Sequence, residues 1–169
     1  MNLKRILFHK ATIITVLVIV FGALSFYGIR ILQQNRDHHD RFIGDIEELY
    51  YFLKKEPVNM ETYGILREGD SVALSAWQNI LSTQDTRVKQ YERMIVEHAA
   101  DNSHYKEIEM LEKLGEGLKI FNEIRMESRE RVESQPGYHL EEYEEIKSKL
   151  QALLQEVQEM GKKHRLDLR

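Results

Sequence analysis

Residues 11–29 read ATIITVLVIVFGALSFYGI, nineteen positions without one charged side chain. A stretch of this kind leaves a chain few choices. At about 1.5 Å of rise per residue, a helix of that length spans roughly 28 Å, close to the ~30 Å hydrocarbon thickness of a bilayer. Ile31 and Leu32 lengthen it once the Arg30 side chain snorkels toward the interface. Phe21, Phe26 and Tyr27 gather toward one end, where aromatic rings favour the headgroup layer. A core helix of a globular protein would show a polar face over five turns, and this run has none. The expectation is a transmembrane helix over 11–32, preceded by a short basic tail over 1–10.

Lys4, Arg5 and Lys10 lie ahead of the run, and no acidic residue occurs before Asp37. A tail of this sign favours an inside N-terminus, a single-pass signal anchor in the cytoplasmic membrane, and an extracytoplasmic domain over 33–169. The competing expectation is a cleaved signal peptide, for which Ala23-Leu24-Ser25 supplies small residues near the end of an apolar stretch. Cleavage would give a secreted form.

Composition bounds what the remaining residues do. The 169-residue chain has no cysteine, which excludes disulfide frameworks, thiol catalysis and cysteine-ligated zinc or iron–sulfur sites. Its formal charge is −4, and beyond the first three basic residues 21 basic face 28 acidic side chains. Nucleic acid is therefore not an expected partner. Only two prolines and nine glycines punctuate the sequence, so long helices are expected.

That punctuation is regularly placed: Pro57 with Gly64 and Gly69, then residues 99–103 (AADNS), then Gln135-Pro136-Gly137. The breaks predict helices over about 30–56, 70–98, 104–134 and 138–165, matched in length as an antiparallel bundle requires. Apolar spacing agrees. Phe42, Ile46, Leu49 and Leu53 step by four and three, as do Trp77, Leu81, Gln84, Val88, Tyr91 and Ile95. Leu111, Leu114, Leu118 and Phe121 repeat the pattern, with Ile108 and Ile124 beside it. Tyr143, Ile146, Leu150, Leu153, Val157 and Met160 complete it. Stripes at this spacing pack knobs into holes. The expected fold is all-α: the membrane helix continuing into an up-down-up-down four-helix bundle.

Candidate chemistry is sparse. Extending the stripes reaches His39, His98, His104 and His164, one per helix, all expected at one end of the bundle. Imidazoles with nearby carboxylates suit a divalent metal or a charge switch near pH 6.5. Histidines at fraying, half-wet helix ends are the plainer reading, and no Glu-x-x-His pair of the di-iron type occurs. Gln84, alone and polar in an apolar stripe, is expected to fix helix register or to touch a ligand or partner. Trp77 and Tyr50, with Tyr51 and Phe52, are candidates for an aromatic cleft or partner surface, and otherwise for core. Gly115 and Gly117 allow close helix approach or a kink. No nucleophile, base and orienting group stand at a spacing that makes a catalytic centre, so an enzyme is not expected.

With its basic tail, apolar run and four matched segments, nearly the whole chain resembles the extracytoplasmic four-helix-bundle sensor domains of bacterial chemoreceptors and sensor kinases. Those receptors continue through a second membrane helix into a signalling module; here the fourth segment runs out into KKHRLDLR at 162–169. The resemblance implies a bundle that acts through a partner. The leading expectation is a non-enzymatic, membrane-anchored interaction module that engages lipid and a membrane or envelope protein, biasing that partner's state. A self-assembling scaffold or spacer is one alternative. A sensor of a small ligand, metal or pH is the other.

Overall fold

This computed structural model describes the backbone of residues 3–64, 71–133 and 140–168, and the side chains of 18–60, 78–129 and 143–168. The chain is all-α, with α1 over Leu3–Gly64, α2 over Ser71–Asp101, α3 over Ile108–Glu133 and α4 over Leu140–His164. Two compact units divide it, Met1–Phe42 and Ile43–Arg169.

In the first unit α1 is uninterrupted, and every large apolar side chain from 18 to 32 is between 41% and 70% exposed. Among the described residues no helix is long and apolar enough to cross a membrane. The first seven side chains of the run at 11–29 lie outside those described.

The second unit is a bundle of the rest of α1 with α2, α3 and α4. Contacts fix the helix directions. Asp45 meets His98 while Glu56 meets Gln84, so α1 and α2 are antiparallel. Arg125 meets Asp85 while a Cβ on Gly115 would lie 3.7 Å from Ile95, so α2 and α3 are antiparallel. Lys113 meets Glu156 and His164 meets Glu107, which sets α4 against α3. Most of the stripe positions read from the sequence form the core, while Leu81, Ile95, Ile108, Ile146 and Met160 are half-buried. Ile46, Leu49, Leu53, Val88, Tyr91, Leu111, Leu114, Leu118, Phe121, Leu150, Leu153 and Val157 are all buried, as is Phe42. Ile124, beside the stripe in sequence, is fully buried as well. The Trp77 side chain lies outside the described residues.

The expected break at Pro57 does not occur, and α1 runs through it to Gly64. An interior proline costs a helix about 3 kcal/mol, because one N–H is lost and the ring crowds the preceding turn. Met60 on the following turn is 1% exposed, and burying such a side chain contributes about 1.5–3 kcal/mol. Tertiary burial thus offsets the local penalty. Helix α3 begins at Ile108 rather than near 104, because residues 102–107 form consecutive turns: the Tyr105 N–H donates to the Asn102 carbonyl at 2.9 Å and the Ile108 N–H to Tyr105 at 3.2 Å.

Two glycines are required by contact. A Cβ on Gly117 would lie 3.1 Å from both Leu53 and Leu153, so α3 approaches α1 and α4 closely there. Helix α4 ends in a Schellman turn: Arg165 takes φ 62°, the Leu166 N–H donates to the Gly161 carbonyl, and the Arg165 N–H donates to Lys162. The chain then folds back as a strap. Leu168 is 2% exposed, and a Cβ on Gly161 would stand 2.8 Å from its Cδ1. Gln158 Nε2 donates to the Leu168 carbonyl at 2.6 Å, and the Tyr51 hydroxyl of α1 to the Asp167 carbonyl at 3.4 Å.

Replacing Gly117 with Val forces a branched side chain between packed leucines and is expected to cost about 2 kcal/mol. Denaturant unfolding of the intact chain in mild detergent measures it. Gly161→Ala is expected to displace Leu168, read as faster amide exchange over 161–168 than in the parent.

Candidate functional site

One row of the α2 stripe is polar at its tips. Gln84, Tyr91 and His98 recur every seven residues, which places them on one face two turns apart. Each meets a carboxylate of α1. Gln84 Nε2 donates to Glu56 at 2.9 Å, the Tyr91 hydroxyl donates to Glu48 at 2.9 Å, and His98 Nε2 lies 2.7 Å from Asp45. Asp45, Glu48 and Glu56 share one face of α1, so the two helices are joined by a three-rung polar ladder. Arg87 reinforces the Glu56 rung at 3.6 Å and lays its guanidinium 5.6 Å from the Phe52 ring centre. Phe52 in turn contacts Tyr91 and Phe121, with ring centres 4.9 and 5.1 Å away.

The rungs differ in chemistry. Gln84 is 2% exposed, and its Oε1 has no hydrogen-bond donor. An amide held this way resists sliding, since shifting α2 by one turn would strand the whole group at a cost of about 1–3 kcal/mol. The Tyr91 phenol is pushed well above its ordinary range, first by burial and then by its bond to Glu48. At the third rung Asn102, fully buried, places Nδ2 2.6 Å from His98 Nδ1. Both ring nitrogens of His98 thus face a polar partner, Asp45 on one side and Asn102 on the other. Asn102 also ends α2, its own N–H donating to the His98 carbonyl at 2.8 Å.

A separate buried cation ties α2 to α3. Arg125 is held against Asp85 and donates to Asn122 Oδ1 at 2.7 Å and to the Leu81 carbonyl at 3.5 Å, while its Nε is buried without a partner. Nothing in the stripe pattern points to it, because an arginine at 125 reads as solvated.

The other sequence candidates meet separate partners. His164 meets Glu107 at 3.6 Å, and His104 packs on Tyr105 with ring centres 4.2 Å apart. His39 belongs to the first unit, its ring 6.5 Å from Phe42. The expected metal set of His39, His98, His104 and His164 is not assembled: among the described residues no three His, Asp or Glu side chains are grouped to hold a metal ion. The physical reason is competition, since His98 and His164 each face a different carboxylate. Tyr50 is buried in the core rather than lining a cleft, its hydroxyl pKa raised by burial and by Tyr51.

No protein-family model, curated protein or solved structure matches this chain.

The phenols set an alkaline limit. Unfolded tyrosine titrates near 10, whereas Tyr91 and Tyr50 titrate higher when folded, so the unfolded chain releases those protons first. Stability is expected to hold below about pH 10 and to fall above it. Tyr91→Phe should flatten that decline while costing about 1 kcal/mol at neutral pH through the lost Glu48 bond. Unfolding midpoints across an alkaline pH series give both quantities.

Proposed function

We propose that this protein is a non-enzymatic, membrane-anchored helical module that binds a partner protein at the lipid surface and biases its state. One observation carries the reading. Phe21, Leu24, Phe26, Tyr27, Ile29 and Leu32 of α1 are all exposed, and at 3.6 residues per turn they point in every direction around the helix. A helix bathed in water confines such side chains to one stripe. Lipid is a solvent that accepts them all round, and the uncharged sequence extends back to residue 11.

The bundle supports the rest. Several of its part-buried polar groups hold helices together: the ladder fixes α1 against α2, and Arg125 fixes α2 against α3. Such an arrangement suits a recognition body. Because α1 is one helix from Leu3 to Gly64, the proposed anchor and the acidic side of the ladder share a backbone without a loop between them.

Alkaline extraction of membranes containing the intact chain is expected to leave it in the membrane pellet. Recovery of the unprocessed chain in the aqueous phase would overturn the anchor. Photo-crosslinkers at exposed Val96 and Met126 are expected to trap a different protein. Adducts containing only this chain would replace the partner reading with a self-assembling scaffold.

A further inference from the structure

The two units differ in charge as well as in exposure. Residues 1–41 hold six basic side chains, Lys4, Arg5, Lys10, Arg30, Arg36 and Arg41, against only Asp37 and Asp40. The remaining residues hold 18 basic and 26 acidic side chains. A chain of net −4 is thus a helix of +4 joined to a bundle of −8. The positive charges are not spread along that helix. They fall in two groups, one before and one after the apolar stretch, and the stretch between contains none.

The second group is displayed for contact. Arg30, Arg36 and Arg41 are all exposed, as are Gln33, Gln34 and Asn35 between them. Arg36 meets Asp40 at 3.8 Å, a solvent-screened pair that leaves most of the guanidinium open. Arg30 and Arg41 are eleven residues apart, which at 100° per residue returns them to nearly the same side of α1, about 16 Å apart along the axis. Guanidinium groups present several N–H donors in a planar fork that matches phosphate oxygens, and they retain their charge at any physiological pH. Exposed apolar residues up to Leu32 set the depth at which those forks would meet headgroups.

We propose that the surface formed by the apolar run and its flanking arginines selects a bilayer rich in anionic phospholipid. The inference rests on the membrane reading above and adds the lipid class to it. Neutral zwitterionic headgroups would take the apolar helix equally well, but they would give no return for the cationic groups. They would also give none for the separation of +4 from −8. On an anionic surface the basic residues of the helix are attracted while the net charge of the bundle is repelled, so the attraction comes from the helix alone.

The test uses the intact chain, diluted from detergent into preformed vesicles and followed by flotation. One set of vesicles is phosphatidylcholine alone, and the other is an equal mixture of phosphatidylcholine and phosphatidylglycerol. The expected result is flotation with both sets, a several-fold greater bound fraction on the mixed vesicles, and loss of that excess at high salt. Replacing Arg30 and Arg36 together with Gln should remove most of the excess and leave binding to phosphatidylcholine unchanged. Equal flotation with both sets overturns the lipid selectivity while the membrane reading stands. A salt-resistant excess, or one the double variant retains, overturns the assignment to these charges. Flotation with neither overturns the membrane reading and this inference with it.

Discussion

Apolar stripes hold helices together without saying how far along each other they sit. Leucine, isoleucine and valine at steps of three and four pack almost as well after a slip of one turn, so burial alone leaves register loosely determined. Directional bonds remove that freedom here. Gln84 to Glu56, Tyr91 to Glu48 and His98 to Asp45 are satisfied together in one register of α1 and α2. Arg125 with Asp85 does the same for α2 and α3. The core positions depend on that alignment: Phe52 reaches both Tyr91 and Phe121 only because the helices stop where they do.

Specificity of this kind carries an energetic penalty. Gln84 Oε1, Asn102 Oδ1 and Arg125 Nε are buried without partners, each a group that water would have satisfied in the unfolded chain. The bundle therefore trades some stability for a single arrangement, the familiar role of a polar residue in a helical core. Tight approach supplies part of the compensation. At Gly117 the absence of a side chain lets Leu53 and Leu153 close over α3, which a larger residue would prevent.

Much of this was legible in the residue order. Periodicity located the core on all four helices because the 3.6-residue repeat records directly which side faces inward. The polar place of Gln84 was legible for the same reason. The acidic face of α1 was readable in principle, since Asp45, Glu48 and Glu56 lie on one side, yet acids at helical spacing look like any solvated face until their partners are known. Pro57 misled for an instructive reason. A proline states a local cost, whereas the burial of Met60 beyond it is a tertiary gain that no local rule contains. The histidines carry less information: a stripe places a residue on a face without saying which neighbour claims it, so the carboxylate partners of His98 and His164 are not readable from spacing.

The strap over the end of α4 bears on the order in which the molecule comes together. Its bond from Tyr51 to Asp167 joins positions 116 residues apart, while α3 and α4 meet across one short connection. Near neighbours close quickly and distant ones slowly. A ribosome releases residue 167 long after α1 has emerged, so the nascent chain must hold its first helix beside an incomplete bundle until Leu168 arrives over Gly161. Synthesis itself thus makes the fastening of α1 to α4 a late event.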